Sequence, residues 1–227
     1  MSYTKDSKID SLTHAREREM LLAGRSYAEV AEATGARHRS ISERNRLVYG
    51  INLRDAFESR VEREGLPNRL NTSDSFGYWF SGFFDGEGHL GVSTRRRDNG
   101  CTERRLLVQI MLRDDDMSVL HYIEENLGVG FIYATKGHGA TNPKGTFRVE
   151  RVKDLAEVMV PLFEKYPLHS KKSREFVIWK ELVRTSYTST LGGYSQRANT
   201  PQAHSDAFSE GLIAIRQIRT YAVFPDL

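Results

Sequence analysis

Cysteine is almost absent: the 227 residues hold one, Cys101. A single thiol excludes an intrachain disulfide and any cluster of thiolate metal ligands, and it fits a reducing compartment. Cys101 itself reads as a passive loop residue. Long apolar runs are missing too. No stretch approaches the roughly 20 residues that span a bilayer, and no secretory h-region opens the chain, so a cytoplasmic protein with no membrane partner is expected. Zinc spacing is lacking, because none of the seven histidines forms an HxxxH pair. Charge of one sign is scarce, with a net +3. The basic surplus that exists is patchy: Arg37 to Arg46, Arg95-Arg96-Arg97, Arg104-Arg105 and Lys171-Lys172. Such patches point to polyanion contact on selected faces. The length suits one sizeable core with a small appendage.

The appendage is expected first. His14 to Ala23 has a helical pattern ending at Gly24, and Ser26 caps a second helix, Tyr27 to Thr34, that stops at Gly35. A third helix is expected from His38 to Tyr49, with Ile41 and Leu47 inward and Arg37, Arg39, Ser42, Arg44, Asn45 and Arg46 outward. Two short helices, a glycine turn and a basic final helix resemble a helix-turn-helix reader of double-stranded DNA, whose last helix enters the major groove. Residues 1–53 are therefore expected to form a DNA-binding segment and residues 54–72 a partly helical linker to a larger domain over 73–227.

That domain opens on the most informative stretch, Asn71 to Leu90. Capping residues precede Phe76, Trp79, Phe80, Phe83 and Phe84, whose spacing makes the stripe of a packed helix. Gly82 and Gly86 form another face. Two glycines four apart cost about 1 kcal/mol each against alanine, and close approach of a partner helix is the usual compensation. Asp85 and Glu87 fall at the helix C-terminus, where the negative end of the macrodipole disfavours carboxylates unless a cation is bound. Carboxylate and carbonyl oxygens suit Mg²⁺.

Beyond the helix, His89 to Arg95 and Arg104 to Arg113 alternate as strands, the second with Leu106, Val108 and Ile110 on one face and Arg105, Leu107 and Gln109 on the other. Asp114-Asp115-Asp116 opens a helix from Met117 to Leu127, with its acids at the favourable end of the dipole. Gly128 to Tyr133 and Gly145 to Arg151 read as a strand pair. Asp154 to Lys165, Lys172 to Thr185 and His204 to Tyr221 read as helices, with a Ser/Gly/Thr-rich loop over Tyr187 to Pro201.

The run Trp79-Phe80-Ser81-Gly82-Phe83-Phe84-Asp85-Gly86-Glu87-Gly88 resembles the signature of the LAGLIDADG homing endonucleases in its WLAGFIDGEG form. The resemblance implies an α+β fold, an αββαββα saddle, and a site-specific double-stranded DNA endonuclease. One copy of the motif implies a homodimer, with Gly82, Gly86, Trp79 and Phe83 at the interface and a near-palindromic DNA target. Carried over, Glu87 and the Gly86 carbonyl hold Mg²⁺ or Mn²⁺, Asp85 supports the helix end, and Lys171 is the basic residue near the scissile phosphate, with Lys172 its neighbour and substitute. Ser93, Arg95, Arg97, Arg105, Gln109, Tyr133, Thr146 and Arg148 become the base readers of the sheet. His89, directly after the motif, is placed to touch phosphate or bound water. One position departs from the pattern: where the family often has a polar residue that organises the attacking water, this chain has Leu112. The alternative reading is therefore a DNA-binding transcriptional regulator that keeps the fold without cutting.

Overall fold

A computed structural model describes residues 6–96, 102–136, 143–190 and 202–219. Arg97, Cys101 and residues 191–201 of the expected loop lie outside them. Contacts divide the chain into two units, Met1–Gly65 with Thr188–Ser195, and Leu66–Tyr187 with Gln196–Leu227.

The first unit is helical: α1 (Asp6–Leu22), α2 (Tyr27–Thr34), α3 (His38–Arg44) continued by a π turn (Asn45–Tyr49), and α4 (Leu53–Glu64). Ser26 and Glu29 form a reciprocal capping box, and Gly35 closes α2 in the left-handed region. Leu21, Val30 and Ile41 are fully buried at the centre, with Tyr27, Ala31, Tyr49 and Leu53 around them. Gly24 has φ +78°, and a Cβ there would lie 2.4 Å from the Ala56 oxygen, so only glycine lets α4 close on the α1–α2 turn. The stretch read as a linker thus contributes a helix that packs within this unit.

The structure corrects the expected faces of the third helix. Asn45 lies four residues after buried Ile41 and so shares its face, and only beyond it does the π turn rotate the later side chains about the axis. Leu47, expected inward, is 71% exposed, while Asn45, expected outward, is 5% exposed. Asn45 is satisfied inside: its amide donates to Tyr27 Oη and to the Ile51 oxygen, and its oxygen accepts from the Ile51 N–H, each at 3.0 Å. Arg44 is also turned to internal work. It makes a forked pair with Glu17, at 2.7 and 2.5 Å, and Glu17 has no solvent exposure.

The second unit holds α5 (Asp74–Glu87), β1 (Gly88–Arg96), β2 (Thr102–Arg113), a 3-10 turn (Asp114–Asp116), α6 (Met117–Leu127), β3 (Phe131–Thr135), β4 (Lys144–Val149), α7 (Val152–Asp154), a π turn (Leu155–Met159), α8 (Val160–Lys165), α9 (Lys172–Ser189) and α10 (Gln202–Arg219). This is the expected α+β arrangement, with αββαββα order from α5 onward. The sheet is antiparallel in the order β1-β2-β4-β3. One face lays Leu90, Val108, Ile110, Phe147 and Val149, all 0–1% exposed, in a common core with Phe76, Phe80, Phe84, Leu120, Ile123 and Phe163. Leu107, on the opposite face by alternation, is nevertheless 3% exposed.

The helix expected over Asp154 to Lys165 is interrupted for a local reason. Pro161 cannot donate, and its ring excludes the carbonyl four residues earlier. That carbonyl is Glu157, and its oxygen accepts instead from the Arg69 N–H at 2.8 Å. The Arg69 guanidinium binds the Glu157 carboxylate and Asp154, and Tyr187 Oη donates to Glu157 at 2.7 Å. The segment entering α5 is thereby fastened where proline opened the ladder.

Candidate active site at the end of the aromatic helix

α5 divides its circumference three ways. Ser73 caps its start by accepting from the Phe76 N–H at 3.3 Å. One face is core: Phe76, Phe80 and Phe84 are at most 2% exposed. A second face is taken by residues 165–172 of the same chain. Lys165 Nζ and Tyr166 Oη reach Asp74 at 2.8 and 2.7 Å, and the Lys165 ammonium and Tyr166 hydroxyl hold the Asp74 carboxyl below its ordinary range. Ser81 Oγ donates to the Tyr166 oxygen at 2.5 Å. Gly77 admits the Tyr166 ring, which an added Cβ would meet at 2.1 Å.

The third face is open. Tyr78 is 66% and Trp79 40% exposed, and at Gly82 and Gly86 an added Cβ would meet nothing within 4 Å. Trp79, expected in the packed stripe, is instead half out, its ring stacked on Phe83 at 5.3 Å and edge-on to Tyr122 at 5.3 Å. The four residues expected at a dimer interface therefore lie on or beside a face that the described residues leave uncovered.

At the C-terminal end the two acids part company. Asp85 is engaged by the loop before α9. Its carboxylate accepts from the His169 N–H at 2.7 Å, the Ser170 N–H at 3.3 Å and Ser170 Oγ at 2.7 Å. Its main-chain oxygen accepts from Lys172 Nζ at 2.6 Å. Lys172 is thus joined to the helix end, and Lys171 is exposed beside it. Glu87 is exposed and lines a cavity of about 500 Å³ with Phe83, Met111, Leu112, Arg113, Asp116, Val119 and Lys144. Gly88 ends the helix in extended backbone, and an added Cβ there would run into the Phe84 ring.

Sequence reasoning offers Arg113, with Gln109, only as a substitute for the polar residue missing at Leu112, and it misses Lys144 and its pairing with Arg113. They are cross-strand partners at the ends of β2 and β4 and both line the Glu87 cavity. Arg113 also pairs with Asp115 at 2.9 Å. Lys144 stands just outside the expected start of its strand, where alternation carries no signal. His89 is held below the ordinary imidazole range by loss of hydration and by the nearby Arg219 and Lys172 charges, against an opposing pull from Glu175. Arg219 itself bridges Glu175 at 2.7 Å and the Leu90 oxygen at 2.5 Å, closing the outer edge of β1.

Pairing places the expected base readers on one sheet face. His89 opposes Gln109 and Ser93 opposes Arg105; Gln109 then opposes Arg148, and Arg148 opposes Phe131. Thr146 stands between Met111 and Tyr133. Ser93 and Arg95 are placed by backbone register alone. Thr146 is on the right face but 1% exposed, so it underlies this surface rather than projecting from it. Arg105 is partly tied to Glu150 at 3.4 Å. In the first unit Arg37, Arg39 and Arg46 are exposed and Ser42 half-buried, whereas Arg44 and Asn45 are withdrawn as described. No three His, Cys, Asp or Glu side chains cluster as a metal site among the described residues, and none of their helices is long and apolar enough to cross a membrane.

Residues 80–183 match the profile of the LAGLIDADG endonuclease family. The chain is 28% identical over 124 residues to the probable intron-encoded endonuclease Cox1-I1b of Schizosaccharomyces pombe, an alignment covering 55% of this chain and 31% of that one. It is 28% identical over 103 residues to the probable intron-encoded endonuclease 3 of Neurospora crassa, covering 45% and 19%. The chain thus spans about a third or less of the length of these curated relatives. Among solved structures, the I-SmaMI LAGLIDADG homing endonuclease bound to cleaved DNA superposes with a TM-score of 0.46 at 20% identity, covering 74% of this chain and 50% of that one. The homing endonuclease I-TnaI gives 0.42 at 21%, covering 60% and 97%.

Proposed function

Because residues 80–183 belong to the LAGLIDADG endonuclease family, we propose that this chain is a site-specific double-stranded DNA endonuclease, working as a homodimer with a divalent metal at the ends of two paired α5 helices. The observation that carries the reading is the division of labour between Asp85 and Glu87. Asp85 spends its carboxylate on the 169–170 loop. Glu87, two residues on, faces the cavity with no hydrogen bond or ion pair to any of the described residues.

An acid in that position at the negative end of a helix dipole is destabilised until a cation arrives. The donor set fits a hard cation: the Glu87 carboxylate and the Gly86 carbonyl are oxygen ligands of the kind Mg²⁺ or Mn²⁺ takes. When bound, the metal supplies Lewis-acid polarisation of a phosphoryl oxygen and a more acidic water. The chain's own residues do the rest. Asp85 orients the loop that presents Lys171 and Lys172. Lys172 fixes its ammonium at the Asp85 oxygen, so positive charge stands beside the cleaved phosphate, and Lys171 reaches it from the exposed side. Arg113 and Lys144 bind neighbouring phosphates from the other wall of the cavity. Phe83 and Val119 keep part of that wall dry.

The open α5 face supports the homodimer. Gly82 and Gly86 leave room for a second α5 to approach at backbone distance, and two copies would give a near-palindromic target. The first unit, whose Arg37, Arg39 and Arg46 are each exposed, is a second DNA contact of helix-turn-helix type in this reading. A protein of this kind acts inside the cell, where its DNA is.

A binding protein without cleavage is favoured by one observation. Leu112 lines the Glu87 cavity and cannot orient water. Selection of bound and of cleaved sites from a random duplex library with Mg²⁺, repeated with Glu87→Gln, separates the two. Metal-dependent double-strand cuts that vanish in Glu87→Gln with binding retained are expected. Sites that are bound but never cut by the wild-type protein would establish the regulator instead.

A further inference from the structure

The sheet face opposite the helices is organised in rows, because paired residues on neighbouring strands stand side by side. Across β2, β4 and β3 three successive rows read Gln109–Arg148–Phe131, Met111–Thr146–Tyr133 and Arg113–Lys144–Thr135. The outer rows each carry cations. The middle row carries none: it is a thioether, a methyl-bearing threonine and a phenol. Met111 is 42% exposed, and Phe131, which adjoins the row, is also 42% exposed. The Phe131 and Tyr133 rings stack on each other with centroids 5.9 Å apart and 29° between planes. Two apolar ends of the strip, exposed Met111 and the Phe131–Tyr133 pair, thus flank the buried Thr146 and are framed by exposed Lys144, by Arg113 with its partner Asp115, and by the partly buried Arg148 with Glu150 at 3.7 Å.

That pattern selects the chemistry of its partner. The cations call for anions at the margins, and the strip calls for something apolar between them. The major groove of duplex DNA offers this combination: phosphates line its borders, and the one apolar group on its floor is the 5-methyl of thymine. The strip spans two strand spacings, about 10 Å, which is about three base-pair steps. We infer that Met111, Tyr133 and Phe131 read thymine methyl groups, and that the recognised DNA carries a short thymine run in each half-site where this strip lies. The inference rests on the DNA-endonuclease reading and deepens it by naming the base chemistry that part of the sheet selects.

The test uses the full chain and duplexes selected from a random library, with Ca²⁺ in place of Mg²⁺ so that binding is read without cutting. Each thymine is replaced in turn by deoxyuridine, which removes only the methyl. At two or three adjacent positions per half-site the dissociation constant is expected to rise about fourfold for each methyl removed. Met111→Gln and Phe131→Ser, both at surface positions, are expected to weaken binding to the thymine duplex and to abolish the deoxyuridine penalty at one position each. Deoxyuridine tolerated everywhere in a duplex that is still bound would overturn the inference alone, as would a penalty unchanged in both variants or a preference for single-stranded thymine tracts. Failure to bind any duplex would overturn the endonuclease reading and the inference with it.

Discussion

The side-chain hydroxyl of Ser170 donates to the Asp85 carboxylate at 2.7 Å, across 85 residues of chain. Together with the His169 and Ser170 amides it turns an acid inside the family signature into the anchor of a loop. The loop leads into Lys171 and into Lys172, the first residue of α9, so their placement depends on a residue that touches neither metal nor DNA in the proposed mechanism.

Asp85→Ala should therefore cost more than a lost surface charge. Hydrogen bonds to a charged acceptor contribute about 2 kcal/mol, and a loss of about that size is expected in urea denaturation. Ser170→Ala, which removes one donor of three, should cost about 1 kcal/mol. Single-turnover cleavage should fall in the same order; equal effects of the two substitutions would refute the anchor.

The glycines of α5 should behave oppositely. Gly77→Ala drives a methyl into the Tyr166 ring and should destabilise by about 1–3 kcal/mol. Gly82→Ala meets nothing within 4 Å among the described residues and should stabilise the monomer by up to about 1 kcal/mol through helix propensity. Sedimentation at micromolar concentration should show Gly82→Ala shifted to monomer. A dimer of unchanged affinity would remove the glycine face from the interface.

In the first unit, Arg44→Met leaves the Glu17 carboxylate fully buried with Tyr49 Oη, at 3.1 Å, as its remaining hydrogen-bond partner among the described residues. Breaking one side of a buried pair costs about 3–5 kcal/mol. Thermal unfolding of the helical unit should move accordingly, whereas Arg39→Met, at a pair with 90% of the arginine side chain exposed, should change it by less than about 1 kcal/mol. Similar losses for both would show that the Glu17 contact is not what holds these helices.

His89 supplies a pH test. Desolvation of the ring, with help from Arg219 and Lys172, lowers its pKa, so the fold favours the neutral imidazole. As pH falls below the ordinary histidine value the unfolded chain takes up this proton first, and stability declines until the lower folded value is passed. Histidine-resolved NMR titration should place His89 below the reference, and Arg219→Gln should move it upward. A downward move would refute the charge assignment.

Much of this was legible because it rests on local chemistry. The capping serine at position 26, the aromatic spacing of 76–84 and strict alternation in 104–113 each act within a few residues. Two kinds of feature were not. The π turn at 45–49 has no glycine or proline within it to announce it, and Leu47 is exposed there; Asn45, four residues after Ile41, is a polar residue kept inside by partners outside its own helix, Tyr27 and Ile51. The site's second wall, Arg113 with Lys144, is created by strand pairing across 31 residues, and periodicity along one strand holds no record of its partner. Pro161 did announce a break, yet the donor that answers it, Arg69, lies 92 positions earlier.

The three-way division of α5 bears on how far this segment can drift in sequence. Phe76, Phe80 and Phe84 are fixed by the core, Gly77, Ser81 and Asp85 by residues 165–172, and Gly88 by its own preceding ring. In a saturating library scored for folding alone, positions 75, 78, 79, 82 and 86 should accept many residues; scored for cutting, 82, 86 and 87 should close while 75 and 78 stay permissive. The difference between those two tolerance maps would separate what the helix owes to its own chain from what it owes to a partner and to DNA.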